Sequence, residues 1–479
     1  MKVISILLSI LLLSNNCFAE KIKEITLNEC VDTAIQSSNY LKIKLYEISN
    51  LKLEIKRANA IFEPYLWSNV MLNNINTPAD STLDGVDILK ITDLYADVGL
   101  TKQLITGTQV DFVFNNFYEN TNIVNQVMNP LYKNSIGFNI RQPVLSGAKV
   151  AVITQTIETA KINLKIANDE YEDLKNQIEN DVKKAYFELN YTYYGYRLSQ
   201  ETLSAIKEIE NNSLAKLKAG EISGIDVLKV KEKVSEEQAS CIDMKRQCIE
   251  AEFILKKLMN INYDDENYNT KLIPQDKYET YINKYDFEYV RKKGLTHNYE
   301  YIKQLKEIEK REITLKVAKA TNMPILNAIA GAKINGMERN LFDSYAQTAK
   351  ADHYTWQIGI ELAVPVGNKD KQNTYEQAKN ELHKEKIKLS DLEKDYYSDV
   401  ALKINRLEFL NNQVEALIQT VSLANKRFDA VKEKFKRGMV SNNDILETLY
   451  EMKDIKEKLN KAIFENNLTA IEIERLIGE

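Results

Sequence analysis

Two stretches of this chain carry the same heptad frame 218 residues apart. Val227, Val230, Val234, Glu237, Cys241, Met244, Cys248, Ala251, Leu255 and Leu258 step by three and four. Adding 218 to each number gives Ile445, Thr448, Met452, Ile455, Leu459, Ala462, Asn466, Thr469, Ile473 and Leu476. A 3,4 alternation is the period of a helix whose seam faces other helices. Each series follows a matching turn, Lys-Ala-Gly-Glu-Ile-Ser-Gly-Ile-Asp at 218–226 and Lys-Arg-Gly-Met-Val-Ser-Asn-Asn-Asp at 436–444. A turn and a seam repeated at one offset point to an internal duplication built on long helical hairpins.

Proline usage agrees. The chain of 479 residues has 7 prolines, none between Pro143 and Pro274 or after Pro365. Those stretches are rich in Lys, Glu, Leu, Ile and Ala, which favours long helices over compact α/β domains.

The first residues read as a secretory signal over 1–19. Lys2 is followed by an apolar run, Val3 to Leu13, and Cys17-Phe18-Ala19 places small residues before Glu20. The run is too short to cross a membrane, and a buried N-terminal helix is the plain alternative. Asn16 precedes Cys17 where a lipoprotein signal has a small residue, which disfavours lipidation without settling it. No later window offers ~20 uncharged apolar residues, so no transmembrane helix is expected. An exported chain of net charge −5 without a helical span belongs in the periplasm or the outer membrane. Cys241 and Cys248 lie two turns apart on one heptad position, too far to bridge, and read as small seam residues.

The first repeat is expected over 20–260. It holds helices within 20–62, strands over about 64–143, and a long helical hairpin over about 147–260 that turns near 218–226. Thr26 or Asn28 stands near the first cap, and the second helix runs from about Tyr40 to Ile61, before Pro64. Residues 261–283 form a linker. The second repeat, 284–479, holds helices over 284–321, strands over about 324–366, and a hairpin over about 368–479 that turns near 436–444. In the first hairpin, Leu174, Ile178, Val182, Ala185, Leu189, Thr192, Tyr196, Ser199, Leu203 and Ile206 form one stripe. A helix from about Lys149 to Leu217 is ~100 Å long at 1.5 Å per residue.

In the strand regions the period drops to two. Trp356, Ile358, Ile360, Leu362 and Val364 alternate with Gln357, Gly359, Glu361 and Ala363. Ala96, Val98 and Leu100 alternate with Asp97, Gly99 and Thr101, as do Val110, Phe112 and Phe114 with Asp111, Val113 and Asn115. Ile136, Phe138 and Ile140 alternate with Gly137, Asn139 and Arg141. Segments of about ten residues, oily on one side and flanked by aromatics, suit a membrane barrel. Ile105-Thr-Gly-Thr108 reads as a hairpin turn, and the first half holds 38 more residues of strand or loop than the second. Whether that extra hairpin joins the barrel wall is open at this point.

The order helix pair, strands, long hairpin, written twice behind a signal, resembles the TolC family of outer-membrane efflux and secretion channels. The likeness covers nearly the whole mature chain. Its landmarks are Leu27 to Ala34, Pro64, Gln142-Pro-Val-Leu-Ser-Gly147, Gly220 to Leu228 and Gly438 to Leu446. It implies a mainly α fold with a membrane β-barrel part, in which a homotrimer shares one barrel and each chain gives about four strands. The function implied is a tripartite efflux or type I secretion channel in the outer membrane, with a periplasmic adaptor and an inner-membrane pump as partners. It conducts passively and is gated at the periplasmic helical tip. By residue-wise match Gly220 and Gly438 make the tip reversals, and Asp226, Asp444 and Glu447 set rings of negative charge near the axis. Capping of the returning helices is the plain reading of Asp226 and Asp444, and it is compatible with that role. The arginine that ties the tip in the family falls at Val440, which leaves Arg437, three residues earlier, as its candidate stand-in. On the strands, Asp97, Asp111, Arg141 and Glu361 are lumen candidates, against the plain reading of a solvated strand face.

Enzyme chemistry has no foothold in the sequence. It contains no phosphate-binding glycine loop, nucleophile elbow or paired metal ligands, and His297, His353 and His383 stand in different regions. No cofactor and no nucleic-acid partner is expected. Of two other readings, a periplasmic adaptor would carry one hairpin and small soluble β domains, and a coiled-coil scaffold without a pore leaves the oily strand faces without a purpose.

Overall fold

The computed structural model describes residues 22–263, 265, 268–276 and 284–478. The expected signal peptide at 1–19, Cys17 included, and part of the 261–283 linker lie outside those residues. In order, the elements are β1 (Ile22–Ile25), α1 (Leu27–Ser37), α2 (Asn39–Asn59), β2 (Tyr65–Pro78), β3 (Ile88–Gln103), β4 (Gln109–Thr121), β5 (Leu131–Pro143), α3 (Val150–Lys218) and α4 (Gly224–Leu258). They continue with β6 (Lys271–Pro274), α5 (Phe287–His297), α6 (Tyr299–Thr321), β7 (Ile325–Glu338), α7 (Leu341–Lys350), β8 (Tyr354–Ala363), α8 (Lys369–Lys436) and α9 (Asn442–Ile477). The chain divides into two compact units, the first drawn from the described residues of Met1–Tyr46, Asp169–Ile302 and Asp391–Glu479, the second from Glu47–Asn168 and Lys303–Ser390.

The first unit is a helical bundle. Its seams follow the sequence periods. None of the ten stripe residues from Leu174 to Ile206 is exposed, and in α4 and α9 the residues Val227, Val230, Ala251, Leu255, Ile445, Met452, Ala462 and Ile473 are buried. Polar side chains interrupt these seams. The Asn466 amide donates to Asn411 Oδ1 at 2.8 Å between α9 and α8, and Asn180 donates to the Ile471 carbonyl at 3.2 Å between α3 and α9. An amide buried in a seam is satisfied in one axial register only, so these residues fix how the helices slide against one another. Tyr191 of α3 stacks on Phe464 of α9 at 4.9 Å, and Cys30, Cys241 and Cys248 are free thiols, two of them buried. Burial and the neighbouring Glu29 carboxylate push the Cys30 thiol up to about 12, which leaves it unreactive.

Beside the helices, β1 pairs in parallel with β6, from Ile22↔Lys271 to Ile25↔Pro274. The stretch expected as a linker thus contributes a strand. Asp276, just beyond it, accepts hydrogen bonds from the Tyr186 hydroxyl at 2.6 Å and the Leu27 amide at 2.8 Å. α1 begins there with a capping box, in which Thr26 accepts from the Glu29 amide and Glu29 from the Thr26 amide.

The second unit is built on a six-stranded antiparallel sheet in the order β2-β3-β4-β5-β7-β8. The four strands expected of one chain are therefore six. The extra hairpin is β3–β4, and it lies inside the sheet, paired with β2 along Tyr65↔Thr101 to Pro78↔Ile88 and with β5 along Gln109↔Arg141 to Glu119↔Leu131. Its turn closes with Leu104 donating to the Thr108 carbonyl at 2.8 Å and Gly107 to Leu104 at 2.8 Å. The six strands do not close on themselves, so β2 and β8 are open edges.

The region expected to hold only strands over 324–366 also contains α7, which the period-two reading passed over. α7 packs on β5 and β7. Asn134 donates to Ser344 Oγ at 2.6 Å and accepts from Thr348, while the Tyr345 hydroxyl donates to Asn116 Oδ1 at 2.8 Å.

Candidate functional site

Strand register assigns every sheet residue to one of two faces. Leu66, Leu100, Phe112, Phe138, Ala332 and Trp356 form one row across all six strands. Beside it run Val98, Phe114, Ile136, Ile334 and Tyr354, and Val70, Ile358 and Ile360 share the face. This apolar surface is open to its surroundings, with Trp356 67%, Ile358 79% and Val70 71% exposed. A soluble protein rarely leaves such a patch uncovered. Two amides on this face, Asn116 and Asn134, are the ones α7 covers. Among the aromatics of these strands, Tyr118 and Tyr354 lie on this face, whereas Tyr65, Trp67, Tyr95 and Phe117 lie on the other.

The opposite face carries those aromatics together with most of the sheet's polar side chains, which cross-link it. All four lumen candidates stand on it, in two arrangements. Arg141 and Glu361 are brought together across β7, with Arg141 Nη2 3.1 Å from Glu361 Oε2, and Asn327 donates to the same carboxylate oxygen at 3.0 Å. Asp111 and Asp97 have separate neutral partners: Thr101 donates to Asp111 at 2.7 Å, and Asn115 donates to Asp97 at 2.9 Å. Lys333, which the sequence reading passed over, stands on the same face opposite Gly137. Its signal was present in the alternation, one position from Ala332.

In the helical unit, the residues singled out at the two turns lie where the hairpins reverse. Gly220 and Gly438 take φ of +76° and +73°, a left-handed conformation costly for any residue with a Cβ. Gly220 then donates to the Leu217 carbonyl and Gly438 to the Phe435 carbonyl, both at 3.0 Å. Next come two identical capping boxes. Ser223 Oγ accepts from the Asp226 amide at 3.3 Å and donates to its carboxylate at 2.7 Å, and Ser441 and Asp444 repeat the pattern at 3.3 and 2.7 Å. The serine hydroxyl in each box, seconded by the serine amide, holds both aspartates below the usual carboxylate range.

Arg437 and Glu447 are exposed, and among the described residues Arg437 enters no ion pair. Within one chain the structure thus does not bring Arg437 to Asp226 or Asp444. What ties the two hairpins together is different. Lys216 donates to the Phe435 carbonyl at 2.8 Å, with its ammonium 4.0 Å from the centre of the Phe435 ring. The Ser213 hydroxyl donates to Asn442 Oδ1 at 3.1 Å. Beneath them Ile206, Ile209, Val230, Phe435, Ile445 and Leu449 make one buried cluster. Each such side chain, fully buried, contributes about 1.5–3 kcal/mol. No motif announces the Lys216–Phe435 and Ser213–Asn442 contacts, because each joins residues more than two hundred positions apart.

No family sequence model matches the chain, and no curated protein matches it significantly. Solved structures do. The outer membrane protein VceC from Vibrio cholerae aligns at 12% identity with a TM-score of 0.67, over 94% of this chain and 96% of that one. The Campylobacter jejuni CmeC outer membrane channel aligns at 14% identity with a TM-score of 0.66, over 94% and 85%. The open state of the Neisseria gonorrhoeae MtrE outer membrane channel aligns at 13% identity with a TM-score of 0.65, over 94% and 88%. No described helix is long and apolar enough to cross a membrane. The chain carries the fold of outer-membrane channels of the TolC family.

Proposed function

We propose that this protein is an outer-membrane channel that conducts its cargo passively, with the sheet in the lipid and the helical bundle in the periplasm. The observation that carries the reading is the pair of sheet faces. One is apolar from edge to edge and exposed, and the other is lined by Asp97, Asp111, Arg141, Lys333 and Glu361. In a bilayer the first suits lipid and the second suits water. The open edges of β2 and β8 require other copies, because unpaired strand groups in hydrocarbon cost several kcal/mol each.

The fold likeness supports a homotrimer that takes cargo from an inner-membrane pump through a periplasmic adaptor, as an efflux or type I secretion channel. Gating is assigned to the two turns. There Asp226, Asp444 and Glu447 supply negative charge, and the Lys216–Phe435 contact ties the two hairpins of one chain. The repeated capping boxes, whose helices begin at Gly224 and Asn442, support an origin of the two hairpins by duplication.

Purified full-length protein, added to a planar bilayer, should give stepwise conductance, and it should need detergent for extraction from membranes. Release by osmotic shock alone, with no conductance, would instead favour an adaptor or scaffold.

A further inference from the structure

We infer that three copies of this chain close an eighteen-stranded barrel, to which each contributes all six strands and in which β2 of one copy pairs with β8 of the next. This rests on the trimeric channel reading above and adds to it the wall's composition and bore.

The sheet's own geometry supports the joint. Neighbouring strands are antiparallel throughout, and six is an even number, so β2 and β8 run in opposite directions. Edge-to-edge contact between copies therefore continues the antiparallel alternation without a break. The apolar face also reaches both edges, through Leu66 and Val70 on β2 and through Trp356, Ile358 and Ile360 on β8. Six strands cannot enclose a channel alone, since about eight close around a core filled by side chains.

The hairpin β3–β4 belongs to the wall rather than lying outside it. It is hydrogen-bonded on both sides, to β2 and to β5, and its Val98, Leu100, Phe112 and Phe114 continue the apolar rows of its neighbours. Looping it out of a narrower barrel would strip both ladders and move its polar row, Asp97 with Asn115 and Asp111 with Thr101, away from the lumen.

Bore follows from strand number. With strands about 4.8 Å apart and tilted about 40°, eighteen give a backbone diameter of about 36 Å and twelve about 24 Å. After roughly 5 Å of side chain on each wall, the open cross-section is about three times larger with eighteen strands. The barrel then sets no tight limit on cargo size, and sizing falls to the helical tip.

Cysteine cross-linking of the full-length protein in its membrane tests this. One panel places a cysteine at 66, 68, 70 or 72 on β2 and another at 356, 358, 360 or 362 on β8. A second panel pairs β2 with β5, which two intervening strands hold about 14 Å apart in the six-stranded sheet. Expected is an interchain ladder ending at three copies from the first panel, with no bond from the second. An intrachain β2–β5 bond overturns the six-stranded wall while leaving the trimer standing. A ladder ending at another number overturns eighteen while leaving six strands per chain. No interchain bond from any pair overturns the edge joint itself.

Discussion

Lys453 Nζ lies 2.8 and 2.9 Å from the two carboxylate oxygens of Glu237, joining α9 to α4 in the interior of the helical unit. The side chains are 11% and 2% exposed, and Ser199 of α3 donates to the same carboxylate at 3.0 Å. Three helices thus meet at one charged position of a mostly apolar seam. Glu237→Ala leaves the ammonium with only the more exposed Glu457 carboxylate, 3.6 Å away, and a loss of about 2–3 kcal/mol is expected. The double replacement Glu237→Leu with Lys453→Met should recover most of that. Chemical unfolding of the purified protein checks both, and a double variant as weak as the single would reject the buried pair as the cause.

At the turns, replacing Gly438 by Ala meets no neighbouring atom, so its effect comes from the φ of +73° alone. The expected cost is about 1 kcal/mol, felt at the tip. Hydrogen exchange should quicken at residues 436–446 and stay unchanged in the sheet. Uniform acceleration along the chain would contradict a local role.

The two capping aspartates set a pH dependence whose sign is fixed. Their carboxyls titrate below the usual value in the folded state, so their contribution is complete above the unfolded value of about 3.9. It is lost as pH falls through the depressed folded value. Amide protection at Asp226 and Asp444, corrected for intrinsic exchange, should therefore be flat from pH 8 to 5 and fall below about pH 4. Asp444→Ala should remove the pH step at the second turn only.

Replacing Asp444 and Glu447 together by Ala should weaken block of the conductance by multivalent cations, since each copy loses two negative charges there. Block of unchanged strength removes these residues from the pore axis.

On the sheet, Arg141 and Glu361 are about half exposed, so their ion pair adds at most about 1 kcal/mol of stability. Arg141→Gln should leave unfolding nearly untouched and shift reversal potentials in a salt gradient toward cations, because it leaves Glu361 without its guanidinium. An unshifted reversal potential would place this face away from the conduction path.

Asn134 faces the apolar side, so its amide depends on α7. Ser344→Val removes its acceptor, and a loss of about 1–3 kcal/mol is expected for the orphaned group. The melting temperature of the purified protein should fall accordingly.

What the chain spelled out locally was the set of elements that repeat. The heptad frames give α4 and α9, the Gly and Ser-x-x-Asp pattern gives both turns, and period-two alternation gives the two faces of β3, β4, β5 and β8. Each of these depends on residues within a few positions of one another, so a single sequence suffices to read them. Tertiary structure alone decided the partners. The β3–β4 hairpin entered the sheet between β2 and β5, and β6 left the linker to pair with β1. α7 formed where only strands were expected, because its ten residues, set between two strands, are too few for a helical period to be told from the surrounding alternation. Lys216 met Phe435, Glu237 met Lys453, and Arg141 met Glu361 across more than two hundred residues. Pairing at such separations is set by packing and by satisfaction of buried polar groups, and neither leaves a periodic trace in the chain.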